Sequence, residues 1–380
     1  MAPRLYIDVH ILQTVPPANL NRDDQGNPKE AYFGGVRRSR VSSQAWKRAT
    51  RKAFAEQVPE ADLAVRTKKI ASRLATGIGK RTGLDEEAAA RLAGALLAPL
   101  GIKAGRKAGD TAYLLFYGRR QLETVVDLVA DRAAELTALT DDDLAEQIKN
   151  LDVAGAFGTG HPMDVALFGR MVADIPTLNV DAATQVAHAL STHATELEFD
   201  YYTAVDDENE KEETGAGMIG TIGFNSATLY RYAAVGLHQL TDNLGGDTDA
   251  ALAAVELFVD TFARSMPTGH ANSFAHRTRP SLVAVVVRED QPVNLVSAFE
   301  RPVPPTAGLA TESADRLARE YGDAVRAWGD TPLYKAACHT FGESEQTTSL
   351  TKAFGVGVTF SNLLTGLRAE LAAAVERDQR

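Results

Sequence analysis

The stretch NLNRDDQGNPKEAYFGGVRRSRVSSQAWKRATRK, residues 19–52, sets nine basic residues in a chain whose formal net charge is −10. Over residues 44–54, at 100° per residue, Gln44, Lys47, Arg48, Arg51 and Lys52 share one arc of a helix. Trp46, Ala49, Thr50, Ala53 and Phe54 share the opposite arc, so one face is built to dock and the other to offer charge. Ser42 or Ser43 is placed to cap the helix start, where a hydroxyl, free backbone N–H groups and the helix dipole favour an anion. A basic face can also be merely solvated, and the charge map bears on that choice. Residues 1–120 hold 22 Lys and Arg against 11 Asp and Glu, whereas the remainder holds 18 against 39. A concentrated basic surface on an otherwise acidic chain can follow a nucleic-acid backbone without binding every polyanion.

The 380 residues suffice for two or three packed units, and 44% hydrophobic with 24% charged residues is ordinary for a soluble globular protein. No apolar run approaches twenty residues, and the opening MAPRLYIDVHIL alternates as a strand rather than forming a signal-peptide core. A cytoplasmic protein with no membrane partner is expected. The single cysteine, Cys338, excludes an intrachain disulfide and a cysteine-based zinc cluster. His188 and His193, and likewise His270 and His276, lack the i, i+4 spacing of a helical zinc pair. Neither a metal nor another cofactor is expected.

Residues 5–13, 113–117, 228–235, 282–287 and 356–360 read as strands. Helical periodicity is expected over residues 43–57, 62–76, 85–97, 120–137, 141–150, 182–197, 248–265, 312–328 and 361–376. Strands scattered among helices predict an α+β body with a sheet assembled from distant segments and a helix-rich lobe inserted over about residues 60–180. The run DDENEKEETGAG, residues 206–217, is flanked by Phe199, Tyr201, Tyr202, Met218, Ile219 and Phe224. It reads either as a surface loop or as an arm that packs on something. The Pro-rich RPVPPTAGLAT, residues 301–311, is an extended connector.

Catalytic signatures fail on context. Residues 215–220 spell GxGxxG, but an acidic run precedes them and a β-prone TIGF follows, where a dinucleotide site needs a buried strand and then a helix. Gly77, Gly79 and Lys80 resemble a phosphate loop, yet Leu74 stands at the first glycine position and Arg81 replaces the Ser or Thr. For Asp23–Asp24 and Asp206–Asp207 no third carboxylate is positioned by spacing to complete a magnesium site, and such neighbours suit turn capping. His10 and His161 are the histidines that could serve a metal-independent ribonuclease, and structural roles compete for both.

NLNRDD (residues 19–24), FGGVRRSRVSSQAWKRA (33–49), DVALFGRM (164–171), DYYTAVDD (200–207) and YRYAAVGLHQLTDNLGG (230–246) together resemble the CasC family. That family is the repeated backbone subunit of the type I-E CRISPR surveillance complex, Cascade. The resemblance implies an RRM-like (ferredoxin-like) palm with an inserted helical fingers lobe and a protruding thumb hairpin. The palm would take residues 1–60 and 181–380, the fingers 61–180, and the thumb about 199–224. It implies a non-catalytic subunit that multimerises head to tail along CRISPR RNA, grips its sugar-phosphate backbone and presents spacer bases to target DNA beside other Cascade subunits. Carried over by motif, Arg22, Lys29, Ser42, Ser43, Gln44, Lys47 and Arg51 would meet guide phosphates. Such contacts fix register without reading sequence, as a variable spacer requires. Tyr201 and Tyr202 would belong to the thumb. Met171 would be an apolar RNA contact from the fingers, although Ala166, Leu167 and Met171 also fit a core stripe. Lys103, Arg106 and Lys107 would face target DNA. The alternative from another class is an RRM-fold endoribonuclease that processes CRISPR RNA.

Overall fold

The computed structural model describes residues 3–102, 105–107, 109–112, 114–172, 175–204, 218–305, 308–342 and 345–378. Its strands are β1 (Tyr6–Ala18), β2 (Glu30–Phe33), β3 (Val36–Val41), β4 (Ala64–Thr67), β5 (Leu115–Gly118), β6 (Thr184–Val186), β7 (Ala189–Ser191), β8 (Glu198–Ala204), β9 (Met218–Gly236), β10 (Leu282–Arg288) and β11 (Tyr334–His339). The helices are α1 (Ser43–Ala55), α2 (Ile70–Thr82), α3 (Glu86–Leu97), α4 (Arg119–Asp127), α5 (Ala133–Thr137), α6 (Asp141–Lys149), α7 (Val153–Gly158), α8 (Met163–Phe168), α9 (Leu237–Asn243), α10 (Thr248–Arg264), α11 (Ala271–Phe274), α12 (Leu309–Trp328), α13 (Glu345–Phe354) and α14 (Phe360–Asp378). The fold is mixed α/β with antiparallel sheets. Two compact units divide it: Arg4–Ala53, Gln185–Ala234 and Glu256–Arg380 form one, and Phe54–Thr184 and Val235–Val255, with Met1–Pro3, form the other.

The first unit is built on the sheet β11-β10-β1-β9-β7-β3-β2, with β6 and β8 also paired to β9. β10 reads LVAVVVR and is buried throughout, the pattern of a strand covered on both faces. On one face Leu12, Tyr230, Tyr232, Ala284 and Val286 pack with Leu317 and Tyr321 of α12 and Phe354 of α13. On the other, the Arg231 guanidinium lies 3.7 Å from the Trp46 ring centroid of α1 and 4.6 Å from that of Phe262 in α10. Arg231 also donates to Gln13 Oε1 at 2.6 Å and to the Phe262 carbonyl. Burial pulls its pKa down to about 9, so the cation is held by ring faces and neutral oxygens.

The second unit is helical around Leu74, Ile78, Leu92, Leu96, Tyr117, Val125 and Phe157, with β4 and β5 as a two-stranded sheet. Asp85 starts α3 by accepting the Ala88 N–H at 2.8 Å, and Thr140 caps α6 in the same manner. Among the described residues no helix is long and apolar enough to cross a membrane.

Several expected elements change type. The helix expected over 182–197 is instead β6 and β7. Leu190 lies between Arg40 of β3 and Tyr230 of β9, and pairing on both sides outweighs an Ala-rich local preference. The strand expected over 356–360 is a loop leading into α14, because Thr359 Oγ1 accepts the Asn362 N–H and starts the helix. The helix expected over 62–76 begins only at Ile70, after β4, and that expected over 120–137 breaks into α4, a 3-10 turn and α5. β2, β3, β11, α7, α8, α9, α11 and α13 had no counterpart among the expected strands and helices.

Candidate nucleic-acid interface

Loop 19–29 leaves β1 and returns through β2, and asparagine side chains hold it. Asn19 is buried, and its Nδ2 donates to the carbonyls of Gly26 and Gly223, each at 2.9 Å. Asn21 Oδ1 accepts the Ser42 N–H at 2.9 Å, and the Asn21 carbonyl accepts the Lys29 N–H at 2.9 Å. The loop is thereby tied to the start of α1. Asp23 Oδ1 accepts the Gln25 and Asn27 N–H groups at 2.9 and 2.8 Å, so this carboxylate shapes its own turn. Among the described residues no cluster of three or more His, Cys, Asp or Glu could hold a metal ion.

The β2–β3 hairpin turns at Gly34 and Gly35, with φ of 60° and 77°. Two left-handed positions are what a two-residue hairpin turn demands. A Cβ at Gly34 would also fall 1.6 Å from the Glu300 carbonyl oxygen. Of the nine cations, Arg38 turns inward, buried and donating to the carbonyls of Phe33, Ser191, Phe299 and Glu300. Arg37 pairs with Glu30 at 2.6 Å, and Arg40 donates to the Glu30 carbonyl at 3.2 Å.

Helix α1 has the two faces that its sequence predicts. Trp46, Ala49, Thr50 and Phe54 are buried, while Gln44, Arg48 and Lys52 are exposed and Lys47 and Arg51 half-buried. Ser42 Oγ accepts the Ala45 N–H at 3.3 Å as the helix cap, and the Ser43 hydroxyl donates to Gln44 Oε1 at 3.2 Å. Burial lowers the Lys47 pKa.

Among the described residues, Arg22, Lys29, Lys47, Arg48 and Lys52 meet no carboxylate. Cations elsewhere are commonly matched: Arg91 with Asp141 at 2.7 Å, Arg119 with Glu60 at 2.7 Å, Arg316 with Glu312 at 3.0 Å and Arg368 with Glu256 at 2.8 Å. An acidic chain that leaves this group of cations unneutralised concentrates positive potential there. Beneath the loop a small cavity of about 10 Å³ is lined by Asn21, Pro28, Ser39, Arg40, Asn225 and aliphatic side chains. Asn225 went unremarked in the sequence, because nothing local distinguishes an asparagine inside a strand.

The other site residues stand apart from this group in sequence and setting. Met171 lies beyond the end of α8 and is 85% exposed, which removes its reading as a core methionine. Tyr201 and Tyr202 are 62% and 46% exposed on β8, and the Tyr202 ring covers Gly220 on β9. Arg106 and Lys107 are exposed in a turn closed by hydrogen bonds from Asp110 N–H to the Lys107 carbonyl and from Gly105 N–H to the Asp110 carbonyl. Lys103, Asp206–Asp207 and Gly215 to Gly217 lie outside the described residues. Gly77, Gly79 and Lys80 are inside α2, where no phosphate loop can form. His10 is fully buried, its Nδ1 2.9 Å from the Tyr230 hydroxyl, and burial lowers its pKa to about 3. His161 bonds Gln121 Nε2 at 3.1 Å, and burial lowers its pKa to about 4.

The sequence profile of the CT1975-like protein family matches residues 7–365. The chain belongs to that family. This CT1975-like protein is also similar to solved chains. One, from a structure titled "CRISPR RNA-guided surveillance complex, pre-nicking", is 30% identical with a TM-score of 0.79, and the match covers 97% of this chain and 100% of that one. A second, from a "CRISPR RNA-guided surveillance complex", is 26% identical with a TM-score of 0.62, covering 97% and 99%. A search of curated proteins finds no match.

Proposed function

We propose that this CT1975-like protein is a non-catalytic backbone subunit of a CRISPR RNA-guided surveillance complex of the CasC, type I-E kind, acting in the cytoplasm. Copies stack head to tail along CRISPR RNA, beside other Cascade subunits, and present spacer bases to target DNA. The observation that carries this reading is the group of unmatched cations on loop 19–29 and α1, joined through the Asn21–Ser42 hydrogen bond. Similarity over 97% of the chain to a subunit of an RNA-guided complex supplies the kind of polyanion. In this reading the sheet unit is an RRM-like palm, the helical unit the fingers and the β8–β9 arm the thumb. Arg22, Lys29, Ser42, Ser43, Gln44, Lys47 and Arg51 bind guide phosphates. Met171, Tyr201 and Tyr202 are apolar contacts to the guide, and Arg106 and Lys107 face target DNA.

Phosphate contacts make affinity depend on salt and not on spacer sequence, with a log–log slope of about −0.7 per contact for a single strand. Binding of several unrelated guide RNAs at three salt concentrations checks this. A strong preference for one spacer with a flat salt response would sink the reading. Repeat-containing precursor RNA should be bound and protected, whereas its cleavage by the purified protein would favour the endoribonuclease. Burial of His10 favours protection, since a general acid must reach its substrate.

A further inference from the structure

We infer that the segment from Gly269 to Arg279 is a third element of this nucleic-acid interface, in which Arg277 and Arg279 take phosphates of single-stranded RNA. The inference rests on the reading above and extends it to residues that no motif marks.

The segment runs beside loop 19–29 and the root of the β8–β9 arm. Just before it, Ser265 Oγ lies 3.2 Å from Thr50 Oγ1 of α1. Gly269 then packs on loop 19–29 so closely that a Cβ there would sit 2.5 Å from the carbonyl oxygens of Asn19 and Leu20. Burial first, and then the positive charge of Arg22, lower the His270 pKa. The Phe274 ring lies 5.9 Å from Phe224, near the root of the β8–β9 arm. Finally, Thr278 is pinned to β1: its hydroxyl donates to the Thr14 carbonyl at 2.7 Å, and its carbonyl accepts from Gln13 Nε2 at 2.8 Å.

The backbone here is strained. His270 and Ala275, with φ of 49° and 45°, are the only non-glycine residues at positive φ among those described. Such conformations persist where the surroundings over-determine them, and they gather at binding sites. The Gly269 contact and the His276 Nε2 to Pro267 carbonyl hydrogen bond at 3.0 Å supply that determination. The result exposes Arg277 and Arg279 on either side of the docked Thr278. Neither meets a carboxylate among the described residues. They stand two positions apart as exposed like charges, an arrangement that a polyanion neutralises.

The test uses the full chain and a labelled, unstructured single-stranded RNA titrated at several salt concentrations. Arg277→Ala with Arg279→Ala should weaken binding at every salt concentration and flatten the log–log slope by about 1.4, the share of two phosphate contacts. The thermal midpoint should stay at the wild-type value, and the Arg277→Lys, Arg279→Lys pair should restore the slope. Lys47→Ala with Arg48→Ala, on α1, is the reference for the underlying reading. If the α1 pair loses affinity while the Arg277, Arg279 pair keeps the wild-type slope and affinity, the third element is refuted and the proposed function stands. If wild-type protein shows no salt-dependent RNA binding, both fall together.

Discussion

Single residues of the sheet core couple its stability to pH in opposite directions. Asp8 accepts from Arg288 Nε at 2.9 Å and from the Tyr232 hydroxyl at 2.7 Å, yet burial raises its pKa from 3.8 to about 6. The folded state therefore binds the Asp8 proton more tightly than the unfolded chain. Its contribution is greatest at low pH and declines as pH rises from about 4 to about 6. His10, lowered from 6.5 to about 3, is held neutral by the fold. Its contribution is full above 6.5 and is lost as pH falls towards 3. Compared with wild type, Asp8→Asn should make the thermal midpoint rise more steeply with pH over this window, and His10→Gln should make it rise less. Melting curves across the window read both, and parallel curves for all three proteins would refute the pair. Ala275 offers a simpler case. A left-handed alanine costs about 1–2 kcal/mol and a glycine pays back some of the gain in the unfolded chain, so Ala275→Gly should stabilise by about 0.5–1 kcal/mol. Urea melts measure it.

At the scale of the element, α1 separates packing from charge. Lys47→Ala with Arg48→Ala should cost RNA affinity and leave the urea midpoint within experimental scatter. Trp46→Ala should cost about 3–5 kcal/mol, because it removes a buried ring and the face on which the Arg231 guanidinium rests. A pattern with the losses exchanged would mean that the helix docks by its basic face. The two arcs of α1 were legible because a 3.6-residue period is a local property, and the buried set Trp46, Ala49, Thr50 and Phe54 follows it. β6 and β7 were not legible: residues 182–197 carry a helix-like Ala and Leu content, and only the neighbours β3 and β9 make strand pairing the better state.

At the scale of the whole molecule, Phe199 and Tyr201 are 61% and 62% exposed two residues apart on β8. A strand points alternate residues to the same side. The pair thus forms one apolar face that, among the described residues, nothing in the sheet unit covers. In the proposed assembly a neighbouring copy and its guide segment cover that face, through a head-to-tail contact. Phe199→Ser with Tyr201→Ser should leave the melting of the isolated chain unchanged and, after co-expression with guide RNA, yield small particles in mass photometry. Full-sized particles would show that the face is dispensable. The sequence alone determined the mixed α/β class, the polarity of charge along the chain, the capped basic helix and the failure of the catalytic signatures. Each of these depends on composition or on residues a few positions apart. Only the tertiary structure decided which cations face outward, as Arg38 turns in to four carbonyls while Arg22 and Lys29 meet no carboxylate among the described residues. It alone joined Asn19 to Gly223, 204 residues away, and set Gly269 against the same loop. Such partners are chosen by folding, because a buried hydrogen bond or a close backbone approach requires two distant segments to meet, and neither segment carries the other in its own pattern.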